Sequence, residues 1–388
     1  MPQKKHYNIA VIFPNWYSFL NDVMEGVLSI HSIRSHCHFL NFISHDFNKP
    51  LVFPKDYTPD GILVSYDDDL FQADWLDAMD VPVVNIFNSV KKHHPSVGLD
   101  YQSIAALAVE HFSNLNYTNI GVLGTNETLF TQDIYQAFTE ECAKRDLPCW
   151  MISVPDGISP GDTDYFKKSA PDLKDKLLNS KGSTGVYTFH DIRGRLLVDY
   201  CADLGVKIPE EVGVLGRFNT LNARLCTPEL SSIVVPTTKM GVQAMQLLIN
   251  LIEGREIEDL HPRPKAQEIR VRQSTVGEKN PDMIVLQARS IIRENACSGL
   301  TVDELVQSLP LARSTFEKRY RAMTGASPAQ HIREIRVETA RQLLLTTQRT
   351  IDEIAFSVGF TDARPFVVFF SRETGETPGE FRKKFANT

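Results

Sequence analysis

The sequence lacks the cysteine spacing, the long apolar runs and the export signal that mark several common classes of protein. Its six cysteines include no CxxC pair, which argues against a zinc site and against a disulfide framework. No apolar stretch approaches the roughly 20 residues that a membrane-spanning helix needs. The amino terminus has neither the apolar segment nor the cleavage site of a secretory signal. These absences predict a cytoplasmic protein with reduced thiols and no contact with a membrane.

Catalytic and metal-binding motifs are also missing. There is no GxSxG, no HExxH and no glycine-rich phosphate loop. His31, His36, Cys37 and His38 lie close together, but without a second ligand pair they favour a strand edge over a metal site. The sequence therefore predicts no enzyme activity, no cofactor and no metal.

Charge is divided unevenly along the chain. Its net charge is −7, from 41 Lys and Arg residues against 48 Asp and Glu residues. Between Pro281 and Thr388 there are 15 basic and 13 acidic residues, a net +2, which leaves 26 against 35, a net −9, for the rest. The acidity belongs to the front of the chain, so it does not argue against a nucleic-acid partner for the tail.

The front segment alternates short apolar runs with amphipathic stretches. The runs do not alternate apolar with polar residues, as expected of strands buried on both faces. The predicted strands are Tyr7–Phe13, Asp60–Ser65, Val81–Phe87, Asn119–Gly124, Thr184–Phe189, Val212–Gly216 and Ser231–Val235. Helical spacing occurs between them, for example in Tyr101–Leu115 and Asp191–Leu204. This order predicts two α/β lobes with parallel sheets and a cleft at the carboxyl ends of the strands.

Two signatures in this segment resemble a known family. GVYTFHDIRGRLLVDYCADLGVKIPEEVGVLGRFN (Gly185–Asn219) and VGLDYQSIAALAVEHFSNLNYTNIGVLG (Val97–Gly124) are similar to signatures of the lactose/galactose repressor sensor domains, a branch of the periplasmic sugar-binding fold. The resemblance extends from Tyr7 to Arg272. It implies a two-lobed sensor, a small-molecule effector in the cleft and a homodimer.

The tail contains two helix-turn-helix patterns. Thr301–Gly325 and Thr350–Gly375 each show a short helix, a break and a second helix, and the helical pattern Pro328–Thr346 joins them. In the second pattern, Thr361 or Asp362 is the expected N-cap, and the apolar stripes are interpreted as core. The pair resembles the arabinose-operon regulator (AraC) class of DNA-binding domain. A sensor followed by this domain resembles the xylose-operon regulators.

The predicted domains are a sensor over residues 1–272, a linker over 273–280 and an all-α DNA-binding domain over 281–388. The second helix of each helix-turn-helix enters a major groove. The resemblance places base-reading or phosphate-contacting residues at Arg313, Ser314, Thr315, Glu317, Lys318 and Arg321 in the first module, and at Ala363 and Arg364 in the second. Val368 occupies a place where the family commonly has a polar residue, so thymine-methyl and phosphate contacts are expected there.

In the sensor, the resemblance aligns Phe218 and Ile134 with an Asp and an Arg that grip sugar hydroxyls in the family. Both charges are therefore expected to be missing. Other candidates for lining the cleft are Asn15, Trp16, Asn21, Asp22, His190 and Asn219. Trp16 suits stacking on a sugar ring but is equally compatible with a core position, and Asp191 is expected to be a helix N-terminal carboxylate.

These features predict a regulator of carbohydrate-catabolism genes that binds a double-stranded DNA operator. Its output is expected to be activation, with RNA polymerase as a further partner and a sugar such as xylose as effector. The open alternative is a DNA-binding regulator whose sensor responds to a non-sugar ligand or to no small molecule. A transport-type binding protein shares the front fold, but it has no use for two helix-turn-helix modules.

Overall fold

The computed structural model describes residues 6–13, 19–30, 36–43, 53, 57–65, 74–86, 94–125, 129–155, 164–266, 268–276, 281–309, 311–347 and 349–386. The chain divides into two compact units, Met1–Gly277 and Glu278–Thr388. None of the described helices is long and apolar enough to cross a membrane.

The first lobe of the front unit is built on a parallel sheet in the order β2-β1-β3-β4-β5. Its strands are β1 (Tyr7–Phe13), β2 (Cys37–Ile43), β3 (Gly61–Val64), β4 (Val83–Ile86) and β5 (Ser96–Val97). Its helices are α1 (Phe19–Ser29), α2 (Asp74–Asp77) and α8 (Thr237–Ile252). β1, β3 and β4 consist almost entirely of buried residues, as expected for strands covered on both faces.

The second lobe has a six-stranded sheet in the order β11-β10-β9-β8-β6-β7, parallel except for β11. Its strands are β6 (Asn119–Gly124), β7 (Cys149–Ser153), β8 (Thr184–Thr188), β9 (Val212–Arg217), β10 (Ser231–Val234) and β11 (Glu268–Arg270). Its helices are α3 (Tyr101–Asn114), α4 (Leu129–Ala143), α5 (Tyr165–Ser169), α6 (Pro171–Leu178) and α7 (Asp191–Leu204), with a 3-10 turn at Leu221–Arg224.

The chain passes between the lobes three times. It leaves the first lobe after β5, returns from β10 into α8, and leaves again from α8 to β11. α8 is held tightly against α1, because a Cβ on Gly26 would overlap the carbonyl oxygen of Thr238 and a Cβ on Gly241 would overlap that of Val23. The three crossings place a cleft between two lobes that share one unit.

The seven predicted strands are all present, within one or two residues at each end, except that Phe87 lies outside the described residues. The alternation of strands and helices is confirmed. The predicted elements did not include β2, β5, β7 and β11. β5 and β11 contain only two and three residues, and β2 and β7 are edge strands whose described residues are at best half-buried. Cys37 and His38 lie in β2, as expected for a strand edge, whereas His31 lies outside the described residues.

The predicted linker over 273–280 is too long at its amino-terminal end. Ser274, Thr275 and Val276 are buried in the front unit. The Ser274 hydroxyl donates to the carbonyl oxygen of Val214 over 2.5 Å and accepts from the amide of Ser231 over 2.8 Å. These residues therefore pack beside β9 and β10, and residues 277–280 lie outside the described part of the chain.

The second unit consists of helices around two small cores. Its helices are α9 (Pro281–Asn295), α10 (Val302–Gln307), α11 (Arg313–Thr324), α12 (Pro328–Thr346), α13 (Ile351–Ser357), α14 (Ala363–Thr374) and α15 (Pro378–Ala386), with a 3-10 turn at Ala296–Ser298. Helix α12 contributes Ile332 to the first core and Val337, Ala340 and Leu344 to the second. One continuous helix therefore joins the two helix-turn-helix modules.

Candidate DNA-reading helices and effector cleft

The first module begins with a reciprocal cap. The Thr301 hydroxyl accepts from the amide of Glu304, and the Glu304 carboxylate accepts from the amide of Thr301. The following helix, α11, begins at Arg313, with Ala312 as its N-cap. It buries Phe316 and Tyr320 completely, so its opposite face is presented to solvent.

That face carries the predicted DNA-contacting residues of the first module. Arg313, Ser314, Thr315, Lys318 and Arg321 are exposed, and Glu317 is half-buried. The Arg313 guanidinium pairs with the Glu317 carboxylate over 2.9 Å and also with Asp303. Within the described residues, neither Lys318 nor Arg321 forms an ion pair, so both charges are available to a partner.

The second module repeats this construction. Thr350 and Glu353 form the same reciprocal cap at the start of α13. Asp362 is the N-cap of α14, where its carboxylate accepts from the amide of Arg364 over 2.7 Å. Pro365 is therefore the third residue of the helix, where no intrahelical donor is lost. The sequence left the cap open between Thr361 and Asp362, and the structure selects Asp362.

The faces of α14 separate core from surface. Phe366, Phe369 and Phe370 are buried in the second core, which agrees with their interpretation as packing residues. Arg364 is exposed, Ala363 is half-buried, and Val368 is 69% exposed. The predicted DNA-contacting residues of α14 therefore carry less charge than those of α11.

In the front unit, an aromatic stack bridges the two lobes. The rings of Phe19 from the first lobe and Phe218 from the second are stacked at 4.1 Å with an angle of 7°. His190 stacks on Phe218 at 5.1 Å and 13°. We call the space between the lobes at this stack the effector cleft. His190 is held neutral, because burial and then the charges of Arg217 and Arg193 lower its pKa.

The loop that carries Phe218 is held by Asp191, the first residue of α7. Phe218 and Asn219 adopt left-handed φ angles of 89° and 53°. The Asp191 carboxylate accepts from the amide of Thr220 and from the hydroxyl of Ser232, each over 2.5 Å. Burial raises the pKa of Asp191 to about 6, although these hydrogen bonds oppose the shift. Asp191 is thus the expected helix N-terminal carboxylate, and it also shapes the cleft.

Only part of the predicted ligand set reaches the effector cleft. His190 and Phe218 belong to the stack that defines this cleft, whereas Ile134 is wholly buried in the core cluster that includes Ala137 and Phe138. The amide oxygen of Asn219 accepts from Arg272 over 2.6 Å, which gives that side chain a structural partner. A cleft-lining role for Ile134 stays a prediction, and its burial gives the side chain a place in the core.

Two of the remaining candidates belong to the first lobe. Asn21 and Asp22 are exposed at the start of α1, where the Asp22 carboxylate accepts from the Thr237 hydroxyl over 3.5 Å. Asn15 and Trp16 lie outside the described residues.

The positions of Ile134 and Phe218 are each preceded by a charge whose sign is opposite to the one that the family has there. Asp133 precedes Ile134 and is exposed, and Arg217 precedes Phe218 and is only 3% exposed. The Arg217 guanidinium carbon lies 4.8 Å from the centre of the Phe218 ring, and its Nε donates to the carbonyl oxygen of Phe189 over 2.8 Å. The sequence signal that could have found Arg217 is an arginine at the carboxyl end of a buried parallel strand.

Two tyrosines near Arg217 were also missed. Burial raises the pKa of Tyr187 to about 12, against the opposing charge of Arg217. Burial likewise raises the pKa of Tyr101 to about 12, against the charges of Arg217 and Arg263. Both phenols are therefore neutral at physiological pH and can donate a hydrogen bond.

Family models match both parts of the chain. Residues 109–275 match the periplasmic binding protein-like domain, and residues 305–384 match a helix-turn-helix domain. These segments contain most of the second lobe and nearly all of both helix-turn-helix modules.

Whole-length relatives share this arrangement. The xylose operon regulatory protein of Escherichia coli K12 is 27% identical over 387 residues, covering 97% of each chain, and that of Haemophilus influenzae is 25% identical, covering 98% of this chain and 99% of its own. A solved structure of a xylose-binding transcription activator has a TM-score of 0.57 at 23% identity and covers 98% of both chains. The chain is therefore a DNA-binding transcription regulator that resembles the xylose operon regulators along its whole length.

Proposed function

We propose that this regulator activates carbohydrate-catabolism genes from a double-stranded DNA operator, in response to a small polyhydroxylated effector bound in the effector cleft. One observation carries the proposal: a two-lobed sensor and two capped helix-turn-helix modules occur in one chain. The proposed domains are a sensor that extends to about residue 276 and a DNA-binding domain that begins at Pro281. The proposed place of action is the cytoplasm.

The first module is proposed to read bases and the second to contribute shape and methyl contacts. Lys318 can donate hydrogen bonds to guanine. Glu317 is paired with Arg313, and once DNA phosphates bind Arg313 the Glu317 carboxylate can accept a hydrogen bond from cytosine. In the second module, Arg364 supplies the charged contact, and the exposed Val368 suits a thymine methyl group. Ser314, Thr315, Arg321 and Ala363 complete the proposed surface.

Effector binding is proposed to act by favouring one relative orientation of the lobes. A ligand shifts such an equilibrium only by its difference in affinity for the two states. A homodimer would place two DNA-binding domains on neighbouring half-sites, with RNA polymerase beside them. Linkage requires that operator DNA and effector strengthen one another by the same factor.

Selection from random duplex DNA with the full-length protein tests the function. We expect one enriched motif with two half-sites, and tighter binding of that motif when the effector is present. Xylose is the first probe, because the relatives are xylose regulators. Lys318→Ala should change the enriched base at one position of each half-site. Absence of any enriched motif at low salt would refute the DNA-reading assignment.

A further inference from the structure

We propose that the effector is an anion, a polyhydroxylated carboxylate whose negative group is bound by Arg217 and Tyr187 in the effector cleft. This inference rests on the proposed function, because it takes the cleft to be the effector site. It adds a charge to the ligand that a neutral pentose does not have.

The first observation is a buried cation with an unused donor. Arg217 is 3% exposed, and its Nη1 has no hydrogen-bond partner within the described residues. Its Nε is satisfied by Phe189, and its plane is covered by aromatic rings. No described carboxylate forms an ion pair with it. A buried charge without a counter-ion is costly, so a site of this kind is completed by a ligand that supplies one.

The second observation is a neutral donor beside that cation. Tyr187 is wholly buried; Arg217 is placed to donate to its phenol oxygen, and no described acceptor takes the phenol hydrogen. Tyr187 in β8 pairs with Leu215 in β9, and Arg217 follows Leu215 by two residues, so both side chains leave the same face of the sheet. A direct bond from Arg217 to the phenol oxygen would still leave the phenol hydrogen without an acceptor and the guanidinium without a counter-ion.

The surrounding charges favour an anion. Arg193 is 1% exposed and, like Arg217, lowers the pKa of His190. The charge of Arg263 opposes the rise in the pKa of Tyr101, and its guanidinium donates to the carbonyl oxygen of Ser96. The opposing carboxylates are Asp133, which is exposed, and Asp191, which is occupied by Ser232 and Thr220. Among these described groups, three guanidinium cations stand against two carboxylates, so their summed charge is positive.

The donor set indicates a carboxylate. Two donors, one guanidinium nitrogen and one phenol hydroxyl, match the two oxygens of a carboxylate, whereas a phosphate dianion offers more acceptors than this pair can fill. The aromatic stack of Phe19, Phe218 and His190 makes the surroundings of the cation apolar, as the carbon skeleton of such a ligand requires. Asn21 and Asp22 can bind hydroxyl groups from the first lobe.

Matched sugar pairs test the charge directly. The full-length protein is titrated with D-galacturonate against D-galactose, with D-glucuronate against D-glucose, and with D-xylose and D-xylose 5-phosphate, and binding is followed by thermal shift and tryptophan fluorescence. We expect at least one acid to bind more than tenfold more tightly than its neutral partner. Arg217→Gln should remove about 10- to 100-fold of the affinity for the acid and none of the affinity for the neutral sugar, as expected for a charge-assisted hydrogen bond.

Tyr187→Phe is the second variant, since it removes only the hydroxyl and should weaken acid binding by several-fold. It also keeps the test decisive if Arg217→Gln fails to fold. Tighter binding of a neutral sugar, or unchanged acid binding in the folded variants, would overturn the anion assignment and leave the proposed function standing. A preference for the phosphate would overturn the carboxylate. Absence of binding by every probe would reject this inference and the sugar-like effector together, while the DNA selection would still test the regulator.

Discussion

Replacing Asp191 should reveal how one buried carboxylate holds the effector cleft together. Asp191 is 1% exposed and accepts from the amide of Thr220 and the hydroxyl of Ser232. Asp191→Ala leaves both donors without that acceptor. Because a buried unsatisfied donor costs about 1–3 kcal/mol, we expect a loss of about 3 kcal/mol in the free energy of unfolding. The Phe218–Asn219 turn should loosen as well, since Ser232 also accepts from the amide of Asn219.

Asp191→Asn separates the hydrogen bonds from the charge. The amide oxygen can accept from Thr220 and the amide nitrogen can donate to Ser232, so the shape is kept. Burial raises the pKa of the native Asp191 from 3.8 to about 6. A raised carboxyl pKa contributes stability that is complete below pH 4 and is lost as pH rises through 6. The side-chain amide of the variant Asp191→Asn does not ionise, so the variant keeps its stability over this pH range while wild type loses part of it. Between pH 4 and 7 the free energy of unfolding of Asp191→Asn should therefore rise relative to that of wild type by on the order of 2–3 kcal/mol.

Tryptophan fluorescence during urea unfolding measures these changes in the front unit alone, because Trp16, Trp75 and Trp150 all precede residue 277. Asp199→Asn is the matched control, since Asp199 is exposed on the same helix α7. Two results would refute the reasoning. One is an Asp191→Ala variant as stable as wild type, and the other is a difference between Asp191→Asn and wild type that does not change with pH.

Three further predictions concern the DNA-binding unit. Lys318→Ala should change base preference at one position of the site, at a cost of about 1–3 kcal/mol in binding free energy. Arg321→Ala should lower the affinity for all DNA sequences alike and reduce the salt dependence of binding. Fluorescence anisotropy measures both effects, and a uniform loss of affinity from both variants would contradict the assignment. Val368→Ala should leave the melting temperature unchanged and lower affinity only for sites with thymine at one position; equal affinity for all sites would disprove the methyl contact. Thr350→Ala should cost about 1 kcal/mol of stability by far-ultraviolet circular dichroism, because it removes a helix cap. The exposed Thr361→Ala should cost nothing, and equal losses would count against the cap.

Local sequence determined the secondary structure of this protein to a large extent. Helix α12 was predicted with both of its ends, because a proline at its first turn and a continuous amphipathic pattern are signals within one segment. The strands of the two sheets were found from apolar runs for the same reason, and β2 and β7 were missed because edge strands lack such runs. The aromatic residues of α14 were assigned to the core from spacing alone, and Phe366 and Phe370 are wholly buried.

Tertiary structure decided the effector cleft. Asp191 and Ser232 are 41 residues apart, and Arg272 reaches Asn219 over 53 residues, so neither contact has a local sequence signal. Their effect is to turn Phe218 into the cleft and to give Asn219 a partner. Whether the charge at the end of β9 faces the cleft depends on the register of that strand with its neighbours, which is why Arg217 was overlooked in favour of Phe218. Spacing along the chain specifies which residues form an element, but only packing between distant elements specifies which side chains meet.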